Sequence, residues 1–308
     1  MPGHSSVARM QQLSTATLLA FAAAWLLTQW PTSALRAAVG ALMVLFAHGL
    51  FLAVEFLLLR RAGRNDPTVC PAWNALLRAW CNEVLQDIRV FAWRQPFCWR
   101  QVPDHLGAEV RGKRGAVFIH GFACNRGFWL PWLARVRRHG HGFVAVNLEP
   151  VFGSIDAYSE TVERAVSQVT LATGLPPVLV CHSMGGLAAR AWLRQAGDAS
   201  RVHHVVTIGT PHQGTWLARF SRAANGRQMR LSNEWLLALQ AAEAQGSLPS
   251  FTCWYSNCDN VVFPPQCATL PDANNLLLQG AAHVDLAFRP DIYTHFLALL
   301  ASPGSRKT

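Results

Sequence analysis

At 308 residues, with 51% hydrophobic and 14% charged side chains, the chain has apolar material for one sizeable core and more besides, which excludes a disordered protein. Basic residues outnumber acidic ones by 27 to 17, for a net charge of +10. No zinc-finger, helix-turn-helix or aromatic RNA-binding pattern accompanies that charge, so no nucleic-acid partner is expected.

Two apolar stretches open the chain. Leu13 to Trp30 is free of charge, and Ala37 to Leu59 is interrupted only by His48 and Glu55. As helices they reach roughly 27 and 35 Å, enough for a hydrocarbon core of about 30 Å. Pro31, Thr32 and Ser33 supply a turn, so residues 1–64 read as a membrane-anchoring hairpin of two transmembrane helices, with spans near 13–30 and 37–59. A secretory signal is the alternative for the first stretch alone, and a buried helix pair for both. The second stretch, followed by Arg60, Arg61 and Arg64, resembles a stop-transfer anchor. With Arg36 alone in the turn, the positive-inside bias implies a multi-pass protein of the inner (cytoplasmic) membrane with the domain that follows the hairpin in the cytoplasm. His48 falls mid-span and calls for a hydrogen-bond partner across the hairpin.

Residues 65–111 form a linker region. Trp73, Leu76, Leu77, Trp80, Val84, Ile88 and Phe91 recur at helical spacing, which predicts an amphipathic helix on the membrane surface or on the following domain. Between Arg60 and Arg114 ten basic side chains stand against five acidic ones, a bias suited to membrane lipids.

After residue 111 the pattern becomes short apolar runs alternating with amphipathic stretches, the signature of a parallel sheet with crossover helices over 112–303. Strands are predicted at 116–120, 143–147, 178–181, 202–208, 251–255 and 275–279. Helices are predicted near 129–138, 156–172, 184–195, 233–245 and 291–300. The eight cysteines contain no C-x-x-C pair, so no metal site is expected; they read as reduced thiols, with a Cys253–Cys258 disulfide as the alternative.

In PPVLVCHSMGGLAARAWL a strand-forming run ends at Ser183 and a helix-forming run starts behind it. That turn is tight enough to require small neighbours and presents the hydroxyl at the carboxyl edge of the sheet. Gly185 meets the requirement; Cys181 stands where a glycine is commoner. An oxyanion formed beside the serine would meet the backbone N–H of Met184 and, after the strand ending at His120 and Gly121, that of Phe122. A serine nucleophile needs a histidine base oriented by a carboxylate. Of twelve histidines, His283 is placed best, in the loop after the last predicted strand. The carboxylates between Ser183 and His283 are Asp198, Glu234, Glu243, Asp259 and Asp272. Asp259 follows a strand and so shares an edge with Ser183; Asp272, ahead of a strand, is the alternative.

These stretches, HGF at 120–122, CHSMGG at 181–186, VVTIGTPHQGT at 205–215, SNCDNVVFP at 256–264 and GAAHVDL at 280–286, resemble those of bacterial triacylglycerol lipases and esterases of the α/β-hydrolase superfamily. The resemblance implies a doubly wound, mostly parallel α/β fold, Ser183 as nucleophile, Asp259 as acid, His283 as base and Phe122 with Met184 as oxyanion-hole amides. It implies no metal or organic cofactor, a lid-like helical insertion within 216–248, and hydrolysis of a lipid or other apolar ester. Thioesterase, phospholipase and acyltransferase chemistry use the same triad, and a silent membrane scaffold is the rival of a different class.

Overall fold

The computed structural model describes residues 4–63 and 70–302. Six strands form one wholly parallel sheet: β1 (Ala116–Ile119), β2 (Phe143–Ala145), β3 (Val178–His182), β4 (His204–Ile208), β5 (Phe251–Tyr255) and β6 (Asn274–Leu277), in the order β2-β1-β3-β4-β5-β6. The first four are buried almost throughout, which explains why they read as apolar runs instead of alternating. On one face Val117, Ile119, Leu179 and Cys181 pack under α6 (Ser159–Thr173) and α7 (Met184–Ala196). On the other, Phe118, Val180, Val206 and Ile208 pack under α5 (Leu130–Arg138) and α11 (Pro290–Ala301). The strand order reverses between β1 and β3. Such a switch point leaves a crevice at the carboxyl ends of the strands, where ligands of open sheets bind.

The predicted strands are all present, with small changes of limits. The fourth starts at His204, two residues late, and the last runs over Asn274–Leu277. All eight cysteines are free, so no Cys253–Cys258 disulfide forms. Residues 216–248 hold a 3-10 turn (Trp216–Phe220), α8 (Ala224–Gln228) and α9 (Glu234–Glu243), the expected helical insertion.

At the N-terminus α1 (Ser6–Gln29) and α2 (Ala34–Leu45) lie along each other, joined by the expected turn. The start of α1 is pinned at two points: Ser6 N donates to Glu149 Oε1, in the sheet-bearing domain, at 2.8 Å and Gln12 Nε2 to the Pro96 carbonyl at 2.7 Å. Beyond that, its apolar side chains face outward, Leu13 with 71% and Leu27 with 73% of their surface exposed. Among the described residues α1 alone is long and apolar enough as a single helix to cross a membrane.

The single helix expected over 37–59 is instead two. The chain bends by 52° at Phe46 into α3 (Ala47–Ala62). Burial accounts for the bend. Phe56 and Leu59 join a core cluster with Leu76, Ala79, Cys258, Phe263 and Ala282, which draws α3 down onto the sheet-bearing domain. The amphipathic stretch is α4 (Trp73–Asp87), continued by a π-helical segment (Ile88–Cys98) that contains Pro96. Its packed side includes Leu76, Ala79, Glu83 and Val84, while Trp73 and Leu77 are exposed. His48 contacts the Val84 carbonyl of α4 at 3.5 Å, so its partner lies outside the hairpin.

Candidate active site

Ser183 sits between β3 and α7 with φ +53° and ψ −130°, a conformation that L-residues seldom adopt. Its amide is held by the Ile208 carbonyl at 2.9 Å. The turn is feasible only because its neighbours are small. A Cβ on Gly185 would stand 2.4 Å from the Ile119 carbonyl oxygen. Cys181 is tolerated because it is fully buried among the core residues on the α6–α7 side of the sheet. Burial also keeps that thiol well above its usual pKa, so it is an inert packing group.

His283 begins the short helix α10 (His283–Leu286). Its Nδ1 lies 2.9 and 3.0 Å from the two carboxylate oxygens of Asp259. Asp259 Oδ1 also accepts the amides of Val261 and Val262, at 2.9 and 2.8 Å, which fixes the plane of the carboxylate. Both side chains are buried. Gly209, at φ +57°, admits the pair: a Cβ there would lie 2.9 Å from Asp259 Oδ2 and 3.2 Å from His283 Nδ1. Ser183 and His283 line one cavity of about 250 Å³ together with Gly121 and Phe122. A second cavity, of about 180 Å³, reaches Ser183 from beneath the insertion and is walled by Phe122, Leu217, Ala218, Met229 and Val262. Met184 is the first residue of α7, where a backbone N–H has no intrahelical acceptor. Phe122 follows β1 across the switch point. Asp272, the alternative acid, is exposed at φ +59° and borders a cavity that does not reach Ser183.

The other motif histidines are structural. His120 Nε2 accepts the Leu148 amide at 3.1 Å and its Nδ1 contacts the Gly121 carbonyl at 2.9 Å; burial lowers its pKa to about 4. His212, in GTPH, is buried between Thr207 and Arg190, whose guanidinium forms an ion pair with Glu243. His182 stacks on Phe128 at 4.4 Å, and its Nε2 faces the His283 carbonyl at 3.1 Å. Burial, with His283 second, holds it well below the usual range.

The sequence reading missed residues that the N-terminal helices bring in. His48, Phe51, Leu52 and Glu55 of α3, with Glu83 and Asp87 of α4, line the cavity beside Ser183 and His283. Asn260, next to the acid, joins the two parts of the chain: its Oδ1 accepts the His283 amide at 3.2 Å and its Nδ2 donates to Glu55 Oε2 at 2.7 Å. Among the described residues no three His, Cys, Asp or Glu side chains are grouped so as to hold a metal ion.

A parallel sheet with a strained serine at its switch point, and a buried His–Asp pair after its last strands, defines an α/β hydrolase. The chain belongs to the alpha/beta hydrolase family, whose sequence pattern it matches over residues 116–302. No curated protein matches it. Among solved structures it is similar to a mature lipase of Bacillus licheniformis, with a TM-score of 0.55 and 16% identity over 61% of this chain and 92% of that one. It is also similar to lipase B of Aspergillus fumigatus, with a TM-score of 0.57 and 18% identity over 67% of this chain and 57% of that one. At these identities the likeness is one of fold.

Proposed function

We propose that this protein is a serine hydrolase that cleaves lipid or other apolar carboxylic esters at a membrane, through an acyl-serine intermediate. The observation that carries the reading is the strained Ser183 in the same cavity as a histidine whose Nδ1 is held by Asp259. Ser183 Oγ attacks the ester carbonyl while His283 Nε2 takes its proton. Asp259 keeps the remaining proton on Nδ1 and stabilises the imidazolium. The N–H groups of Phe122 and Met184 receive the oxyanion, each worth about 3 kcal/mol of barrier. His283 then protonates the departing alcohol, and water, deprotonated by the same imidazole, releases the acid.

The apolar walls support an apolar substrate. Phe51 and Leu52 come from α3, the helix that leaves the exposed α1–α2 hairpin, so an ester dissolved in the bilayer would lie close to the cavity. In this proposal α1 and α2 enter the membrane from the cytoplasmic face, the catalytic domain remaining on that side. Labelling of Ser183 by a fluorophosphonate, followed by a series of esters of rising acyl length, tests the chemistry. A protein that neither labels nor turns over any ester is a silent scaffold. Reporter fusions after residue 64 test the orientation, which alkaline phosphatase activity there would reverse.

A further inference from the structure

We infer that the N-terminal helices position the catalytic base: Glu55 of α3, acting through Asn260, and Glu83 of α4, acting on the first turn of α10, are positioning residues for His283. The inference rests on the serine-hydrolase reading above and concerns what holds its base in place.

The first amides of any helix lack intrahelical acceptors and are normally satisfied by a Ser, Thr, Asp or Asn at the cap. In α10 the cap is Ala282, which has no side chain for the task. The three leading amides are taken up from elsewhere. His283 N donates to Asn260 Oδ1 at 3.2 Å, Val284 N to Glu83 Oε1 at 2.7 Å and Asp285 N to Glu83 Oε2 at 2.9 Å. Asn260 is in turn held by Glu55. Glu55, Glu83 and Asn260 are all buried, with 6%, 1% and 1% of their surface exposed. A buried side chain whose two oxygens each accept one of the first N–H groups of a helix ties that backbone to the element carrying the side chain. Here it fixes the backbone that carries the base, and it reaches across 201 and 202 residues of sequence. A capping side chain at 282 would have held α10 locally. The arrangement found makes the base depend on α3 and α4 being docked. A displacement of the base by about 1 Å costs on the order of a hundredfold in rate.

The test uses the full-length protein and a fluorophosphonate, which reports both how many sites react and how fast each reacts. Glu55→Leu removes the acceptor for Asn260; Glu55→Gln keeps an acceptor oxygen. Glu83→Gln keeps the shape but turns an NH2 group toward one of the two amides. Positioning predicts that Glu55→Leu and Glu83→Gln label to the same final extent as wild type, each roughly ten- to a hundredfold more slowly, with kcat lowered and KM unchanged. It also predicts that Glu55→Gln regains most of the rate lost in Glu55→Leu. If the labelled fraction falls while each remaining site reacts at the wild-type rate, these carboxylates only stabilise the fold and the inference is overturned. Equal slowness of Glu55→Gln and Glu55→Leu overturns the Asn260 route; should Glu55→Leu not fold, Glu83→Gln decides alone. Wild type that fails to label refutes the serine-hydrolase reading itself, a different result from wild type and variants labelling alike.

Discussion

Replacement of Asp259 by Asn removes one charge and leaves the shape of the side chain. Its Oδ1 accepts two backbone amides, from Val261 and Val262. In Asp259→Asn the amide oxygen must keep that position, because an NH2 group there would face two N–H donors. The NH2 group therefore takes the place of Oδ2, now 2.9 Å from His283 Nδ1. A donor at that point makes Nδ1 the acceptor and moves the imidazole proton to Nε2, the nitrogen that must take the proton of Ser183. The base is then in the wrong tautomer, and such a change costs about 10⁴-fold in turnover, equivalent to about 5.4 kcal/mol of barrier. Folding should survive, since every buried polar atom of the substituted side chain retains a partner. Hydrolysis of a chromogenic acyl ester measures kcat, and a thermal melt checks the fold. A folded Asp259→Asn protein within tenfold of wild type would refute the argument, and an inactive, folded Asp272→Asn protein would show that Asp272 is the acid.

Ser183→Ala should fold and lose about 10⁶-fold in turnover, read as loss of fluorophosphonate labelling together with ester hydrolysis; retention of a few per cent of activity would mean another nucleophile. Gly209→Ala places a methyl group against the His–Asp pair at a positive φ, and the backbone strain alone costs about 1–2 kcal/mol; the melting temperature and kcat should both fall, and an unchanged kcat would show that the pair yields without penalty. Burial, and next the Glu55 charge, push the carboxyl of Asp87 from 3.8 up to about 7. Between those values the folded protein holds a proton that the unfolded chain has released, so the contribution of this group to stability falls as the pH rises through that window. Asp87→Asn should therefore reduce the loss of melting temperature between pH 5 and pH 8, and an unaltered loss would exclude Asp87 as its source.

The sequence by itself determined the features that rest on local chemistry. A strand-forming run, a serine among small residues and a helix-forming run mark the turn at Ser183 from local sequence, while the clash that Gly185 avoids, with the Ile119 carbonyl at the end of β1, is set by the packing of the sheet. Strand order along the chain was enough to choose His283 and prefer Asp259, since the carboxyl ends of parallel strands share one edge. The sheet followed from the alternation of apolar runs and amphipathic stretches. The role of the N-terminal helices was decided by tertiary structure alone. In the sequence Glu55 is one charge in a lipid-like helix and Glu83 lies off the apolar stripe of its own helix. Their partners, Asn260 and the amides of Val284 and Asp285, lie 201 to 205 residues away. No periodicity within α3 or α4 encodes such a partner, because a hydrogen bond of this kind depends on how the two helices dock. The same docking bends the stretch 37–59 at Phe46, since burying Phe56 and Leu59 against Phe263 and Ala282 requires the chain to leave the axis of α2.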